Sequence, residues 1–486
     1  MAHVCGIEFS DFGFNAAVVD PTTDGPAVVN EAAGAWPAFA AWNGSELVFG
    51  REAEKEWRLH PRTASHVFWE HLSLSPSDLE GPPRTPAYSE LAYAFLHSFW
   101  ENLCAQSEKP EKVVLAMPGQ LLGDADSDNP AMGLILAMAR DLGIPLAGLC
   151  GLSTSSLNDP DSMGGITGGR ILYMDLHLHS AAMSLLTTDV EGRLNRRRYM
   201  RLPRLGYVPL IQGLHKSMGN RFLRATAFDV TAQRELDQLF YEQTREQLLD
   251  GSHGSDIRYS IQTSSRVYQA AFPRETIRRD LGPHEQGWAA AAVKFLNDSS
   301  FDPKDVTVVV SSRVGMLPGM DEALATRGFG RVVHLQHGAA ARGAAKFAAG
   351  LDVAEDISMV PVVSTVEVSA SAPTQSGDGV KVVHVAAAQP SAGLVASHLV
   401  VDGAAYSLHA LPEVLQGDEN ADAPAVPSLA RLGPVPVRLI RQDGEWHIET
   451  PDSGALLMAP GDRVKIKSGS EEVELLIVAE SRPGTA

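Results

Sequence analysis

Short apolar runs alternate with amphipathic segments over the first 350 residues. Two apolar runs, 4–9 and 14–20, are separated by SDFG, which predicts a β-hairpin at the start of the chain. Residues 89–106 carry leucine and phenylalanine at helical spacing and predict a helix, with Ser89 as its cap. A buried strand that proline ends is predicted at 112–118, and a helix follows at 131–145.

The same order of elements recurs after a Gly-, Ser- and Asp-rich stretch at 153–169. A second hairpin is predicted, followed by alternating helices and strands, at 170–186, 228–249, 305–312, 318–326 and 338–350. The last of these helices is built from small residues, which favours close approach to another backbone. This repetition predicts two similar α/β lobes with a cleft between them, lobe I at 1–160 and lobe II at 161–358.

From about residue 360 the pattern changes to short valine-rich runs separated by turn pairs such as Asp443-Gly444 and Pro460-Gly461. This pattern predicts a β-rich C-terminal domain at 359–486. Within it, 415–428 is polar, acidic and rich in proline and alanine, which indicates a linker or long loop.

Charge and composition narrow the classes of partner. The formal net charge of −19 and the pI near 5.3 disfavour nucleic acid, because an acidic surface repels a phosphate backbone. No apolar run reaches the length of a membrane helix, and the N-terminus lacks a basic stretch followed by an apolar one. Cys5, Cys104 and Cys150 form no CxxC pair, which suits a reducing cytoplasm. A cytoplasmic protein with no membrane partner is therefore expected.

Two segments carry side chains that suggest chemistry. In YMDLHLHS, Asp175 ends an apolar run, and His177 and His179 follow two residues apart, so on a strand they would share one face. This pattern leaves open a metal site of Asp-His-His type, although histidines filling a pocket are favoured. The arginine-rich segment 193–204 follows a predicted Glu191-Gly192 turn and is interpreted as a solvated hairpin face.

Five segments, taken in order, resemble the seventy-kilodalton heat-shock chaperone family of the actin-like ATPase superfamily. They are GIEFSDFGFNAAVVD, VVLAMPGQ, YMDLHLHSAAMSLL, VVVSSRVGMLPGMDEAL and AARGAAKFAA. The resemblance covers about three quarters of the chain. It implies a two-lobed actin-like ATPase (ribonuclease H-like) fold with a C-terminal β-rich domain, and a cleft that takes ATP or ADP with magnesium.

The resemblance also assigns candidate binding residues. It places Glu8, Ser10 and Asp11 in the first phosphate loop, and Asp175, His177 and Ser180 in the second, with Asp175 as the candidate magnesium ligand. It matches Glu242 and Arg245 to adenosine contacts on a long helix, where the next two contacts become Glu246 and Leu249. It places Ser311 and Ser312 where the family has a Gly-Gly pair.

The sequence departs from the family wherever phosphate would be held. Glycines of the second loop are replaced by His177, Leu178 and His179, although glycine leaves room for an anion and tolerates the unusual turn. Asp11 stands where a hydroxyl would touch phosphate, Glu70 aligns with the catalytic lysine, and Gly151 aligns with a glutamate. Because phosphoryl transfer depends on positioning and charge neutralisation, these losses predict that ATP is not hydrolysed by the family mechanism.

The sequence therefore favours a pseudo-ATPase that binds a client or partner protein through its β-rich domain, with a homodimer as one form of that partnership. The alternative is an active ATP-dependent chaperone in which Glu8 and Asp175 hold Mg²⁺. A third hypothesis is a metal-dependent hydrolase that uses Asp175, His177 and His179.

Overall fold

The structure is a computed structural model in which the chain forms two compact units. The first unit comprises Met1–Thr187 and Leu194–Glu367, and the second comprises Thr188–Arg193 and Val368–Ala486. The described residues are 3–19, 26–28, 36–122, 129–159, 169–189, 192–249, 256–367, 381–385, 394–401, 404–407, 414–416, 437–442, 445–450, 454–458, 463–468 and 471–481.

The first unit combines strands with helices throughout. Its described strands are β1 Val4–Glu8, β2 Asn15–Val19, β3 Pro26–Val28, β4 Ala40–Trp42, β5 Leu47–Phe49, β6 Ala64–Ser65, β7 Lys112–Met117, β8 Leu146–Gly151, β9 Arg170–Leu176, β10 Ser180–Thr188, β11 Arg193–Pro203, β12 Ile257–Gln262, β13 Val267–Phe272, β14 Thr307–Val310, β15 Arg331–His334, β16 Val362–Val363 and β17 Thr365–Glu367. Its described helices are α1 Gly50–Glu56, α2 Tyr88–Gln106, α3 Gly119–Leu122, α4 Pro130–Asp141, α5 Leu152–Asn158, α6 Tyr207–Thr226, α7 Arg234–Leu249, α8 Glu275–Asn297, α9 Ser312–Gly315, α10 Met320–Thr326 and α11 Ala339–Ala349.

The first sheet has the strand order β16-β8-β7-β1-β2-β3. Its central strand, β1, pairs antiparallel with β2 and parallel with β7, which in turn pairs parallel with β8. All five residues of β1 are buried, because a central strand covered on both faces needs a continuous apolar run. The predicted N-terminal hairpin is thus confirmed, and its first strand forms the middle of a sheet.

The second sheet has the order β15-β14-β9-β10-β11-β17. Here β9 is central, pairs antiparallel with β10 and lies parallel to β14, which pairs parallel with β15. The two sheets therefore share a core of five strands: the central strand, its hairpin partner and the strand after it on one side, and two parallel strands on the other. A sixth strand extends each sheet, β16 beside β8 in the first and β17 beside β11 in the second. The mixed α/β class predicted from the sequence is confirmed.

Helix α11 packs on the first sheet and against α5 at very short range. A Cβ atom on Gly343 would lie 1.8 Å from the carbonyl oxygen of Ser155, and one on Gly6 of β1 would lie 2.1 Å from that of Ala341. The predicted close approach of this small-residue helix is therefore confirmed. Polar contacts fix the pair of helices, since Asn158 donates to the carbonyl of Gly343 at 2.9 Å.

The second unit consists of strands wherever it is described beyond residue 367. They are β18 Lys381–Val385, β19 Leu394–Val401, β20 Ala404–Ser407, β21 Val414–Gln416, β22 Val437–Gln442, β23 Glu445–Thr450, β24 Gly454–Met458, β25 Arg463–Ser468 and β26 Glu471–Ser481. They form a five-stranded sheet, β18-β25-β26-β19-β20, and a four-stranded sheet, β21-β22-β23-β24. The predicted β-rich character is confirmed for these residues. Most of the predicted acidic linker 415–428, from 417 onward, lies outside the described residues.

Candidate functional site

Two acidic side chains meet where the central strands of the two sheets end. Glu8 is the last residue of β1, and Asp175 is the next-to-last residue of β9. Glu8 is only 3% exposed and Asp175 only 1%. Two carboxylates withdrawn from water at one place are costly unless a cation and further hydrogen bonds compensate them.

Arg313 supplies the cation. It lies in α9, the single turn that follows β14, and β14 runs parallel to β9 with Val310 opposite Met174. Its Nε donates to Oδ1 of Asp175 at 3.0 Å, and its Nη2 donates to Oδ2 at 2.8 Å. Its Nη1 donates to Oε1 of Glu8. The guanidinium therefore joins the carboxylate of the second sheet to that of the first.

The opposite charges outweigh the effect of burial in this cluster. Burial by itself would lower the pKa of Arg313 and raise that of Asp175. The neighbouring carboxylates instead hold the pKa of Arg313 well above its ordinary value, and the guanidinium lowers the pKa of Asp175. Burial, together with the charge of Asp175, raises the pKa of Tyr173 well above its ordinary value, so its hydroxyl stays protonated and donates to Asp175 Oδ2 at 3.4 Å.

Little space is left beside the guanidinium. Asn15, opposite Glu8 in the hairpin, donates through Nδ2 to Glu8 Oε2 at 3.0 Å, while its buried Oδ1 has no hydrogen-bond partner among the described residues. A cavity of about 70 Å³ lies against Arg313, and another of about 10 Å³ also borders it. Small-molecule sites usually measure about 300–1,000 Å³, so both cavities are far smaller than a usual ligand site. The first cavity is lined by Phe12, Asn15, Leu249, Ser312, Arg313, Met316 and His337.

Asp11 belongs to the first hairpin, but its side chain contacts the turn between β9 and β10, which resembles the second phosphate loop. Its Oδ1 accepts the backbone N–H of Leu178 at 3.0 Å, and Nδ1 of His177 lies 3.5 Å from the same oxygen. Ser10 Oγ also lies 3.5 Å from Nδ1 of His177. Burial raises the pKa of Asp11, but the hydrogen bond and charge of His177, the charge of His179 and the Leu178 N–H lower it to about 2. A carboxylate of the chain itself thus takes a backbone donor that an external anion would need.

His177 and His179 do not share one face. They lie in the turn between β9 and β10, and their rings meet different partners, so the two-residue spacing of a strand does not apply. Nε2 of His177 is 4.0 Å from Asp175, whereas Nε2 of His179 is 3.2 Å from Nδ1 of His66. No group of three or more His, Cys, Asp and Glu is arranged to hold a metal ion within the described ranges.

Glu70, which aligns with the family's catalytic lysine, is paired with Arg201 of β11. Arg201 Nη2 lies 2.6 Å from Glu70 Oε1, and its Nε donates to Oγ of Ser180 at 3.0 Å. Nδ1 of His179 lies 3.8 Å from the other oxygen of Glu70. The solvated face predicted for the arginines of 193–204 is therefore wrong for Arg201, which is partly buried among polar groups of the cleft.

Arg245 and Glu242 lie on α7, where Arg245 reaches α1 and Glu242 bonds within its own helix. Arg245 Nε is 3.1 Å from Glu54 Oε1, a buried carboxylate of α1 that also accepts from Tyr241 at 2.7 Å. Glu242 accepts from Gln238 at 2.9 Å. Of these two candidate adenosine contacts, Arg245 therefore joins α7 to α1, whereas Glu242 bonds within α7. Leu249 of the same helix borders the cavity beside Arg313.

Ser311 and Ser312 begin the short helix α9, which contains Arg313. Ser311 donates its backbone N–H to the carbonyl of Met174 at 3.0 Å, and its Oγ accepts from the N–H of Val314 and caps α9. Ser312 borders both cavities beside Arg313. Both serines thus adjoin the Glu8–Arg313–Asp175 cluster, and the Oγ of Ser311 is used to cap the turn that holds Arg313.

The residues present do not fit a magnesium nucleotide. Both carboxylates that could approach a metal are engaged by Arg313, and a backbone donor of the second loop is engaged by Asp11. The cavities beside Arg313 are too small for adenosine. The site is therefore filled by the chain's own charges: a guanidinium where a cation would bind and a carboxylate where an anion would bind.

Comparisons with known proteins return no protein-family model and no curated protein that matches the chain. None of the helices among the described residues is both long and apolar enough to cross a membrane.

Sequence reasoning missed Arg313, the residue on which the cluster depends. The signal was present, because this arginine follows the apolar run VTVVV by only two residues and lies close to the end of a buried strand. A charged side chain at such a place requires an opposite charge to be buried with it. Which carboxylates it meets depends on the order of strands in the sheets.

Proposed function

We propose that this chain is a divergent member of the two-lobed actin-like ATPases, related to the heat-shock chaperones, that does not hydrolyse ATP. In this proposal the first unit is a fixed scaffold, and the β-rich second unit binds a partner protein or a second copy of the chain. The observation that carries the proposal is the position of Arg313 between Glu8 and Asp175.

The arrangement of the first unit supports the proposed relationship. Both large sheets have a hairpin at the centre and at least two parallel strands to one side, which is the repeated plan expected of a two-lobed actin-like fold. Helices α5 and α11 pack directly against each other, as the two connecting segments of the resemblance would. The family assignment rests on this plan and on the order of the five sequence segments.

The cleft contacts support the loss of hydrolysis. Catalysis of phosphoryl transfer needs a metal ion, backbone donors for the phosphates and a positioned cation or base. Arg313 binds the carboxylate of Asp175, which a metal ion would need, and Asp11 accepts the backbone N–H of Leu178, which a phosphate would need. Glu70, at the position of the catalytic lysine, is a carboxylate paired with Arg201. On α7, the candidate adenosine contact Arg245 is paired with Glu54 of α1, and Arg58 after α1 pairs with Asp237 of α7 at 2.7 Å.

The open sheets of the second unit support a role in protein binding. Strands β18 and β20 end one sheet, and β21 and β24 end the other, in the order of the described strands. An edge strand can pair with an added strand from another chain, which is a common mode of peptide recognition.

Phosphate release tests the proposal. We expect the wild-type chain, supplied with ATP and Mg²⁺, to release phosphate at the same background rate as Asp175→Asn. The isosteric asparagine is a suitable control because it removes the charge that either a metal ion or Arg313 would need. Turnover that is present in the wild-type chain and lost in Asp175→Asn would instead support an active ATP-dependent chaperone.

A further inference from the structure

Two histidines from separate sheets, His66 and His179, meet next to Glu70. His66 follows β6 of the small sheet β5-β4-β6, and His179 belongs to the β9–β10 turn of the second sheet. Their rings stack with centroids 4.9 Å apart and planes 25° apart, and Nδ1 of His66 is 3.2 Å from Nε2 of His179. Trp57 and Phe39 pack against the His66 ring, with ring centroids 4.9 and 5.2 Å from its centroid.

The geometry fixes how many protons the pair can hold. Nε2 of His179 lies 2.9 Å from the carbonyl oxygen of His66, an atom that can only accept, so Nε2 carries a proton. Nδ1 of His66 faces that same N–H and must therefore be the unprotonated nitrogen. A proton on Nδ1 would set two N–H groups against each other, which removes the ring-to-ring hydrogen bond and weakens the contact between the two sheets.

Few negative groups offset a charge on His66. Its ring has aromatic neighbours, and the charged groups that act on it are His179, which opposes protonation, and the carboxylates of Asp78 and Asp11, which favour it. Asp78 is already bonded to Ser65 at 2.7 Å, and Glu70 faces His179 rather than His66.

We propose that His66 and His179 form a pH-sensitive latch, which joins the small sheet to the second sheet at neutral pH and releases in mild acid.

The direction of the pH dependence follows from the proton balance. Burial, followed by the charge of His179, lowers the pKa of His66 from 6.5 to about 4. An opened state with an ordinary histidine binds more protons below pH 6.5, so acid favours opening and the stabilisation is complete only above that pH. Between neutral pH and pH 5 the opening equilibrium should rise by roughly thirty-fold for this single group.

Hydrogen exchange tests the latch. Backbone protection factors, corrected for the intrinsic effect of pH, are measured at pH 7.5 and 5.0 for peptides covering residues 64–72 and 176–182. We expect both peptides to lose roughly thirty-fold protection in the wild-type chain. His66→Phe keeps the ring packing but cannot be protonated, so its protection should stay constant. His97→Gln, an exposed histidine on α2, should behave as wild type.

Two results would overturn the latch: protection in the wild-type chain that does not change with pH, or the same loss in His66→Phe. Should that variant fold poorly, the nuclear magnetic resonance titration of the His66 ring in the wild-type chain decides. A midpoint near 4 supports the latch, whereas a midpoint at 6.5 or above contradicts it. The latch does not depend on whether a nucleotide binds.

Discussion

Arg313→Ala is expected to lower the free energy of unfolding by about 3–5 kcal/mol, the range seen when one partner of a buried ion pair is removed. The cost arises because Glu8 and Asp175 remain buried without a compensating charge. Urea denaturation followed by tryptophan fluorescence measures it, since Trp446 alone among the seven tryptophans of the chain lies in the second unit. Adding Glu8→Gln to Arg313→Ala should recover part of the loss by removing one unpaired charge.

Arg327→Ala provides the matched control. Arg327 lies at the exposed end of α10, so its loss should change stability by less than about 0.5 kcal/mol. If Arg313→Ala were no more damaging than Arg327→Ala, the guanidinium would not hold the two carboxylates together, and the account of a self-filled cleft would fail.

Gly343→Ala is expected to cost roughly 2–3 kcal/mol, although alanine favours a helix by about 1 kcal/mol over glycine. The added Cβ would lie 1.8 Å from the carbonyl oxygen of Ser155, so α5 and α11 must separate. Their separation would also strain the bidentate pair of Arg342 and Asp159, whose shortest contact is 2.7 Å. Thermal and urea denaturation of the variant measure the loss.

Gly287→Ala isolates the effect of packing from that of helix propensity. Gly287 lies inside α8, and a Cβ there meets nothing within 4 Å. This variant should be as stable as wild type or more stable by up to about 1 kcal/mol. Equal effects at Gly343 and Gly287 would mean that α5 and α11 are not in direct backbone contact.

Elements with strong local patterns could be predicted from the sequence. The apolar run at 112–118 became β7, Lys112–Met117, because a buried central strand needs unbroken apolar side chains. The helix predicted at 89–106 became α2, but its cap was wrong: Ala87 occupies the N-cap, and Ser89 is buried inside the first turn. The helix predicted at 228–249 begins only at Arg234, after a 3₁₀ turn that Asp229 caps.

The contacts that define the cleft could not be predicted in this way. Glu8 and Arg313 are 305 residues apart, and their pairing depends on the first and second sheets bringing β1 and β14 to one place. Resemblance did identify Glu8, Asp175 and the serines before Arg313 as neighbours of one cleft. It did not predict that a guanidinium would lie between the two carboxylates.

The latch histidines show the same limit. His179 could be recognised as a departure from a glycine-rich loop, but its partner His66 is 113 residues away, in the segment that was aligned only through Glu70. Only the folded chain places the two rings in contact.

The most direct test of the central claim, that the chain's own charges fill the cleft, is calorimetric titration of the wild-type protein with ATP and with ADP, each in the presence of Mg²⁺. The account predicts no saturable heat with either nucleotide, because Arg313 occupies both carboxylates and Asp11 occupies a backbone donor. A dissociation constant in the micromolar range for either nucleotide would contradict it.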